Sequence, residues 1–194
     1  MYHIKKDARS KKSAEMFYQG LLKCLEKTPL DKVSVTDVQK ASGAGRSTFY
    51  RNFDAVIDIL KWKCDAQFSE AIDSYVEMLS NEHRKDLLLY MLSYWMQHSD
   101  VIEALLGAGR VDVVYRSFLD THQMVEEHLA RIGIMLSNDT QERYFSAVSA
   151  GFFISIMDAW IAGGKKESPK QVAAIVESQG RRIAEAAAST SPKG

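Results

Sequence analysis

The stretch Ser34–Phe53, SVTDVQKASGAGRSTFYRNF, limits what this chain can fold into more than any other. Ser34 is placed to cap a short helix, and Asp37, three residues on, can return a bond to the cap's own backbone. Val35 and Val38 give that helix an apolar side. Gly43 then ends it, because a helix C-terminus favours a left-handed residue that glycine adopts without penalty. After Ala44 and Gly45 a second short helix is expected, with Phe49 turned inward and Arg46, Ser47, Thr48, Tyr50 and Arg51 mostly outward.

Two short helices around a glycine turn form a helix–turn–helix, in which the second lies in the DNA major groove while the first crosses the backbone. The outward residues suit that work. Arg46 and Arg51 carry planar donor forks for guanine edges or phosphates, Ser47 and Thr48 are short donors and acceptors for base edges, and Tyr50 offers an uncharged hydroxyl to a phosphate. Ser34, Thr36 and Lys40 on the first helix and Asn52 at the end of the second complete the expected DNA-contacting set. An ordinary helical hairpin with surface arginines shares these traits singly; the run TFYRNF closing the second helix is more specific.

The segments KVSVTDV (Lys32–Val38) and STFYRNF (Ser47–Phe53) resemble the DNA-binding domain of the TetR family of bacterial transcriptional regulators. The resemblance covers about Lys11 to Ala71. It implies an all-α chain of about nine helices: a three-helix, homeodomain-like unit over residues 10–70, then an effector-binding and dimerisation unit over 71–190. It also implies a homodimer on a palindromic double-stranded operator, a small-molecule effector held in the second unit, and a dimer interface made by the last two long helices. Two positions depart from the family pattern. Gly45 stands where a serine or asparagine often caps the recognition helix, and Val56 where a lysine usually meets a phosphate.

Charge is divided along the chain in the same sense. The net charge is +0, but residues 1–53 hold 11 Lys and Arg against 5 Asp and Glu, a net of +6, while the rest holds 14 against 20, a net of −6. A basic head on an acidic body fits a protein that meets nucleic acid at one end only. Cys24 and Cys64 fall on apolar helix faces and read as small core residues of a reducing compartment. No signal peptide is visible at Met1–Lys12, and the charge-free apolar run Ala147–Met157 is too short to span a bilayer, so a cytoplasmic protein without a membrane partner is expected.

Before the helix–turn–helix, residues 1–9 read as a polar, basic arm outside the fold. A first helix follows over about Ser10–Lys27, with Ala14, Phe17, Tyr18, Leu21, Leu22 and Leu25 on one face. Beyond it, Asp54 is placed to cap a long helix reaching about Leu79. Further helices are expected over about 83–98, 99–106, 110–132, 138–162 and 168–187. Between Ala147 and Ile161 the fourth of these is apolar nearly all round, so a lone chain would struggle to cover it, and a partner subunit is expected. The expected dimer contacts are Phe153, Ile154, Ile161, Val172, Ile175, Val176 and Ile183, packed as a four-helix bundle on a twofold axis.

Large adaptable side chains on the inward stripes, Met91, Trp95, Phe118, Met124, Phe152 and Met157, suit a pocket for a mainly apolar effector, with His98, Tyr115, His122 and Asp158 as polar groups to orient it. Each of these serves equally well as core. His122 with Glu126 one turn on offers two metal ligands, too few for a site, and neither a metal nor a cofactor is expected. Two functions compete with the regulator. An adaptor or co-activator of the same fold, working through protein contacts with weak or no operator reading, is kept open by Gly45 and Val56. An enzyme is opposed by the lack of a phosphate loop, nucleophile elbow or spaced carboxylate pair, which leaves no catalytic residue to name.

Overall fold

The computed structural model describes the backbone of residues 1–5, 7–81, 86–131 and 139–190, and the side chains of these except 79–81, 122–131, 139, 142, 183–184 and 187–190. Among the described residues there are nine α-helices and no strand: α1 Ala8–Leu25, α2 Val35–Ser42, α3 Arg46–Asn52, α4 Ile57–Asn81, α5 Leu87–Gln97, α6 Asp100–Gly107, α7 Val111–Arg131, α8 Asp139–Ala162 and α9 Pro169–Thr190. A short 3₁₀ turn, Leu30–Lys32, joins α1 to α2. The chain is all-α, as its sequence predicts.

The caps form where local chemistry places them. The Ser34 hydroxyl accepts from the Asp37 backbone, and the Asp37 carboxylate accepts from the Ser34 backbone, so the reciprocal box is complete. Gly43 closes α2 at φ 69°. Ser168 and Gln171 repeat the box at the start of α9. Gly164 (φ 81°) and Lys165 (φ 58°) make the turn after α8, and Lys165, a rare left-handed non-glycine residue, spends its ammonium on Glu103 of α6 at 2.6 Å.

α1, α2 and α3 enclose an aromatic core. Phe17, Phe49 and Phe53 are fully buried, with Phe17 edge-on to Phe49 at 5.4 Å and Phe49 tilted on Phe53 at 5.7 Å. Such pairs add about 0.5–1.5 kcal/mol each beyond the area they bury. α4 then leaves this head and enters the body. Its Trp62 ring meets Phe53 at 6.4 Å and its Lys63 reaches Glu15 at 2.9 Å, while Phe68 lies among Trp95, Phe118 and Phe153 of the body at 4.4–5.6 Å. Cys64 between them is buried, and burial pushes its thiol up to about 12.

Two expectations give way here. The N-terminal arm is docked. Tyr2 makes an antiparallel bridge with Phe53, the His3 amide donates to the Asn52 carbonyl at 2.8 Å, and the Tyr2 hydroxyl donates to Asp65 of α4 at 2.8 Å. Burial, reinforced by Asp65, holds that phenol neutral well above its ordinary range. Second, Asp54 does not cap α4. The carboxylate of Asp58, inside the first turn, accepts from the Asp54 and Ala55 amides, and Asp54 instead pairs with His3 at 3.0 Å and with the Met1 amine at 3.2 Å.

Candidate nucleic-acid interface

α3 is only seven residues long, and its orientation is set by the ring beneath it. Phe49 anchors it in the aromatic core, so Arg46, Ser47, Tyr50 and Arg51 are left on the outside, with Thr48 half-buried. Ser34, Thr36 and Lys40 of α2 are exposed as well. The Arg46 guanidinium sits over the Tyr50 ring, 5.6 Å from its centroid, which extends both side chains together without an acidic partner. Arg51 donates to the Thr48 hydroxyl at 3.2 Å. Ser34 is exposed, but its hydroxyl also donates to Asp37 at 2.6 Å, so capping already occupies it. Gly45 sits at the N-cap of α3 with no side-chain bond, and Val56 is packed partly into the core.

Asn52 departs from its expected place. It is 2% exposed, beneath α3 rather than on its face, and its carbonyl oxygens are held by the His3 amide and the Ser10 hydroxyl. The helix ends as the chain turns under itself, and periodicity alone does not mark that turn.

α2 meets α1 at its closest approach through Gly20. A Cβ on Gly20 would stand 2.7 Å from the Ser42 Cβ and 2.8 Å from its backbone nitrogen, so glycine is what lets these two helices touch. That contact fixes the angle at which α2 supports α3.

In the body, the expected pocket residues and expected dimer residues part in a different way. Trp95 and Met157 are fully buried, Met91, Tyr115 and Phe118 partly so, and His98 and Asp158 are exposed. His122, Met124 and Ile183 have side chains outside the described residues. Phe152, expected in the pocket, is instead 48% exposed on the outer face of α8. Its neighbour Phe153, expected at the dimer seam, is 9% exposed and packs on Trp95 and Phe68 at 5.4 Å. Ile154 and Val172, also expected at the seam, are buried within the chain; Ile161 and Val176 are partly buried; Ile175 is exposed. The outer face of α8 is Tyr144, Phe145, Val148, Phe152, Ser155 and Ala159, with Ile175 of α9 also exposed. These are the residues missed by sequence reasoning, since both sides of the helix are apolar.

Arg143–Ala162, 20 residues at mean hydropathy 1.6, has the length and composition to cross a bilayer, more than the run Ala147–Met157 alone promises. The larger of the described clefts, about 590 Å³, lies between head and body, bounded by Leu30 and Ile57 on one side and by Glu103 and Arg110 on the other. The aromatic quartet of Phe68, Trp95, Phe118 and Phe153 is packed ring on ring. Near it Trp95 Nε1 and Gln67 Oε1 are buried without hydrogen-bond partners.

Solved structures of similar shape agree on the fold. The chain superposes on the crystal structure of Lin0861 from Listeria innocua with a TM-score of 0.76 at 12% identity, over 93% of this chain and 96% of that one. It is similar to the fatty acid degradation regulator FadR from Bacillus halodurans (TM-score 0.58, 13% identity, 87% and 94% covered). It is similar also to the dihydroxyacetone kinase operon activator DhaS (TM-score 0.55, 15% identity, 86% and 95% covered). No protein-family profile matches the chain, and no curated protein sequence matches it. At these identities the likeness is one of fold, and that fold is the all-helical one of the regulators FadR and DhaS.

Proposed function

We propose that this protein is a TetR-type transcriptional regulator that binds a palindromic DNA operator as a homodimer, with residues 10–70 reading DNA and residues 71–190 sensing an effector and dimerising. The observation that carries the reading is the outward row Arg46, Ser47, Tyr50 and Arg51 on a short helix pinned from below by Phe49. The names of two neighbours in shape, an operon activator and a degradation regulator, support it. The protein works in the cytoplasm, where duplex DNA is found. Its test is a retardation assay with the DNA flanking its own gene. Retention of that duplex by nanomolar protein in excess competitor is expected, and no retention at low salt overturns the reading.

Dimerisation is favoured by the outer face of α8. A row of exposed aromatic and aliphatic side chains of this length marks an interaction surface in a folded protein, and a second copy, with its own α8 and α9, offers the matching one. The membrane-like composition of α8 follows from covering one face by the chain and the other by its twin.

The effector reading rests on two unpartnered groups at the aromatic quartet, Trp95 Nε1 and Gln67 Oε1. Leaving a buried donor or acceptor unsatisfied costs about 1–3 kcal/mol each, and a ligand that parts the rings and meets these groups recovers that cost. Such an effector is mainly apolar with one or two polar atoms. It acts as a release signal for a repressor by favouring a different spacing of the two heads, since only differential affinity shifts a two-state equilibrium.

A second reading has its own support. Gly45 gives α3 no side-chain cap, and the neighbour DhaS is named as an activator. In this reading the chain is a co-activator or adaptor working through protein contacts. A stable dimer that retains no duplex of any sequence would favour it over the first.

A further inference from the structure

Beside the C-terminal end of α3 lies a cleft of about 180 Å³ that the helix–turn–helix itself does not explain. It is lined by His3, Lys5, Asp7, Arg9, Ser10, Ser13, Arg51 and Asn52. Three elements meet there: the docked arm, the first turn of α1 and the last turn of α3. Lys5, Arg9 and Arg51 bring three permanent cations, and no ion pair involving them is found among the described residues. The one carboxylate, Asp7, is occupied in capping α1, accepting the Ser10 amide at 2.8 Å. The lining is therefore net positive at the amino end of an 18-residue helix, where the backbone dipole also favours an anion.

A second, independent feature marks the same cleft. Asn52 is 98% covered, and its Nδ2 is buried with no hydrogen-bond partner, while its Oδ1 accepts from the Ser10 hydroxyl at 3.3 Å. An unspent donor in a cation-lined cleft is what an oxyanion site presents before its anion arrives. The docked arm assembles it: the His3 amide on Asn52, the Tyr2–Phe53 bridge and the Tyr2–Asp65 bond bring His3 and Lys5 to α1 and α3.

We propose that this cleft is a phosphate site that takes a backbone phosphate of the bound DNA. The source follows from position, because the cleft shares Arg51 and Asn52 with α3, so an anion in it lies at the end of the helix proposed to read bases. The inference rests on the DNA-reading proposal and adds to it a contact from the arm, at the end of α3 where Val56 supplies no charge.

The test uses the full chain and its Lys5→Ala, Arg9→Ala and double variants, with Lys166→Ala on the body as control. Affinity for a flanking-DNA duplex and for a random-sequence duplex is measured across a salt series. Each head variant is expected to lower affinity for both duplexes by a similar factor and to reduce the slope of log affinity on log salt by about 0.9 per cation lost. Lys166→Ala should leave both unchanged. If the wild type binds duplex and the Lys5 and Arg9 variants keep its slope, the phosphate site is overturned while DNA reading stands. If the wild type binds no duplex, both fall. Titrating inorganic phosphate while following the Asn52 side-chain amide by NMR separates the sources. Saturation at micromolar phosphate that leaves duplex affinity unaltered would assign the cleft to a free anion and overturn the DNA source; displacement of DNA by phosphate only at high millimolar concentration supports it.

Discussion

Phe152 and Phe153, adjacent on α8, face opposite ways: the first is 48% exposed on the outer surface and the second packs 5.4 Å from Trp95 inside the body. That one-residue difference decides which substitutions dissociate a dimer and which unfold a subunit. Phe152→Asp is expected to give folded monomer, because it sets a charge in the surface proposed to meet the twin. Ile154→Asp places a carboxylate in the chain's own core, where burying an unpaired charge costs several kcal/mol, and is expected to give insoluble or unfolded protein. Light scattering with circular dichroism distinguishes them; a wild-type monomer at micromolar concentration would refute the dimer.

Gly20 gives a second test. Within a helix, Gly→Ala ordinarily stabilises by about 1 kcal/mol. Here the added methyl would stand 2.8 Å from the Ser42 backbone nitrogen and 2.9 Å from its Cα, neither of which is a flexible side-chain end. The sign should reverse, to a loss of about 1–3 kcal/mol from overpacking, read as a lower midpoint in urea. A rise in midpoint would show that α1 and α2 lie farther apart.

On α2 and α3, the proposed base and phosphate contacts separate by their signatures. Arg46→Ala is expected to cost about 1–3 kcal/mol of operator affinity and to relax preference at one base position. Lys40→Ala should weaken all duplexes about equally and flatten the salt slope. Competition with single-base operator variants reads the difference. Unchanged operator affinity in Arg46→Ala would remove that arginine from the interface.

The α6–α8 turn carries a pH dependence. Burial pushes the Glu103 carboxyl up, but the Lys165 ammonium and the Ser99 hydroxyl outweigh it, and the group is held below the ordinary glutamate value of 4.5. A lowered carboxylate contributes stability that is present above that value and is lost as pH falls through the folded one. Glu103→Gln should therefore lower stability at neutral pH and flatten its decline below about pH 4.5. Parallel acid-unfolding curves for the two proteins would refute this.

The parts of the fold written in a few adjacent residues were legible in the sequence. The Ser34–Asp37 box, the Gly43 stop and the Ser168–Gln171 box need only neighbours along the chain, and all three form. The outward row of α3 was legible for the same reason, with Phe49 as its internal reference. The face of α8 was not, because a helix apolar on every side carries no period to say which side meets its own core. Nor was the arm. Its docking depends on Asn52, Phe53 and Asp65, far along the chain, and a basic, polar run looks the same whether free or held.

α4 binds two cores at neighbouring turns, Trp62 and Lys63 to the head and Phe68 to the body. Its 25 residues, about 37 Å long, leave no linker between them where one half could melt alone. The head should therefore lose its structure together with the body, in one calorimetric transition rather than two. Any cut through this helix would strip a wall from both cores, so the head cannot be had without the body.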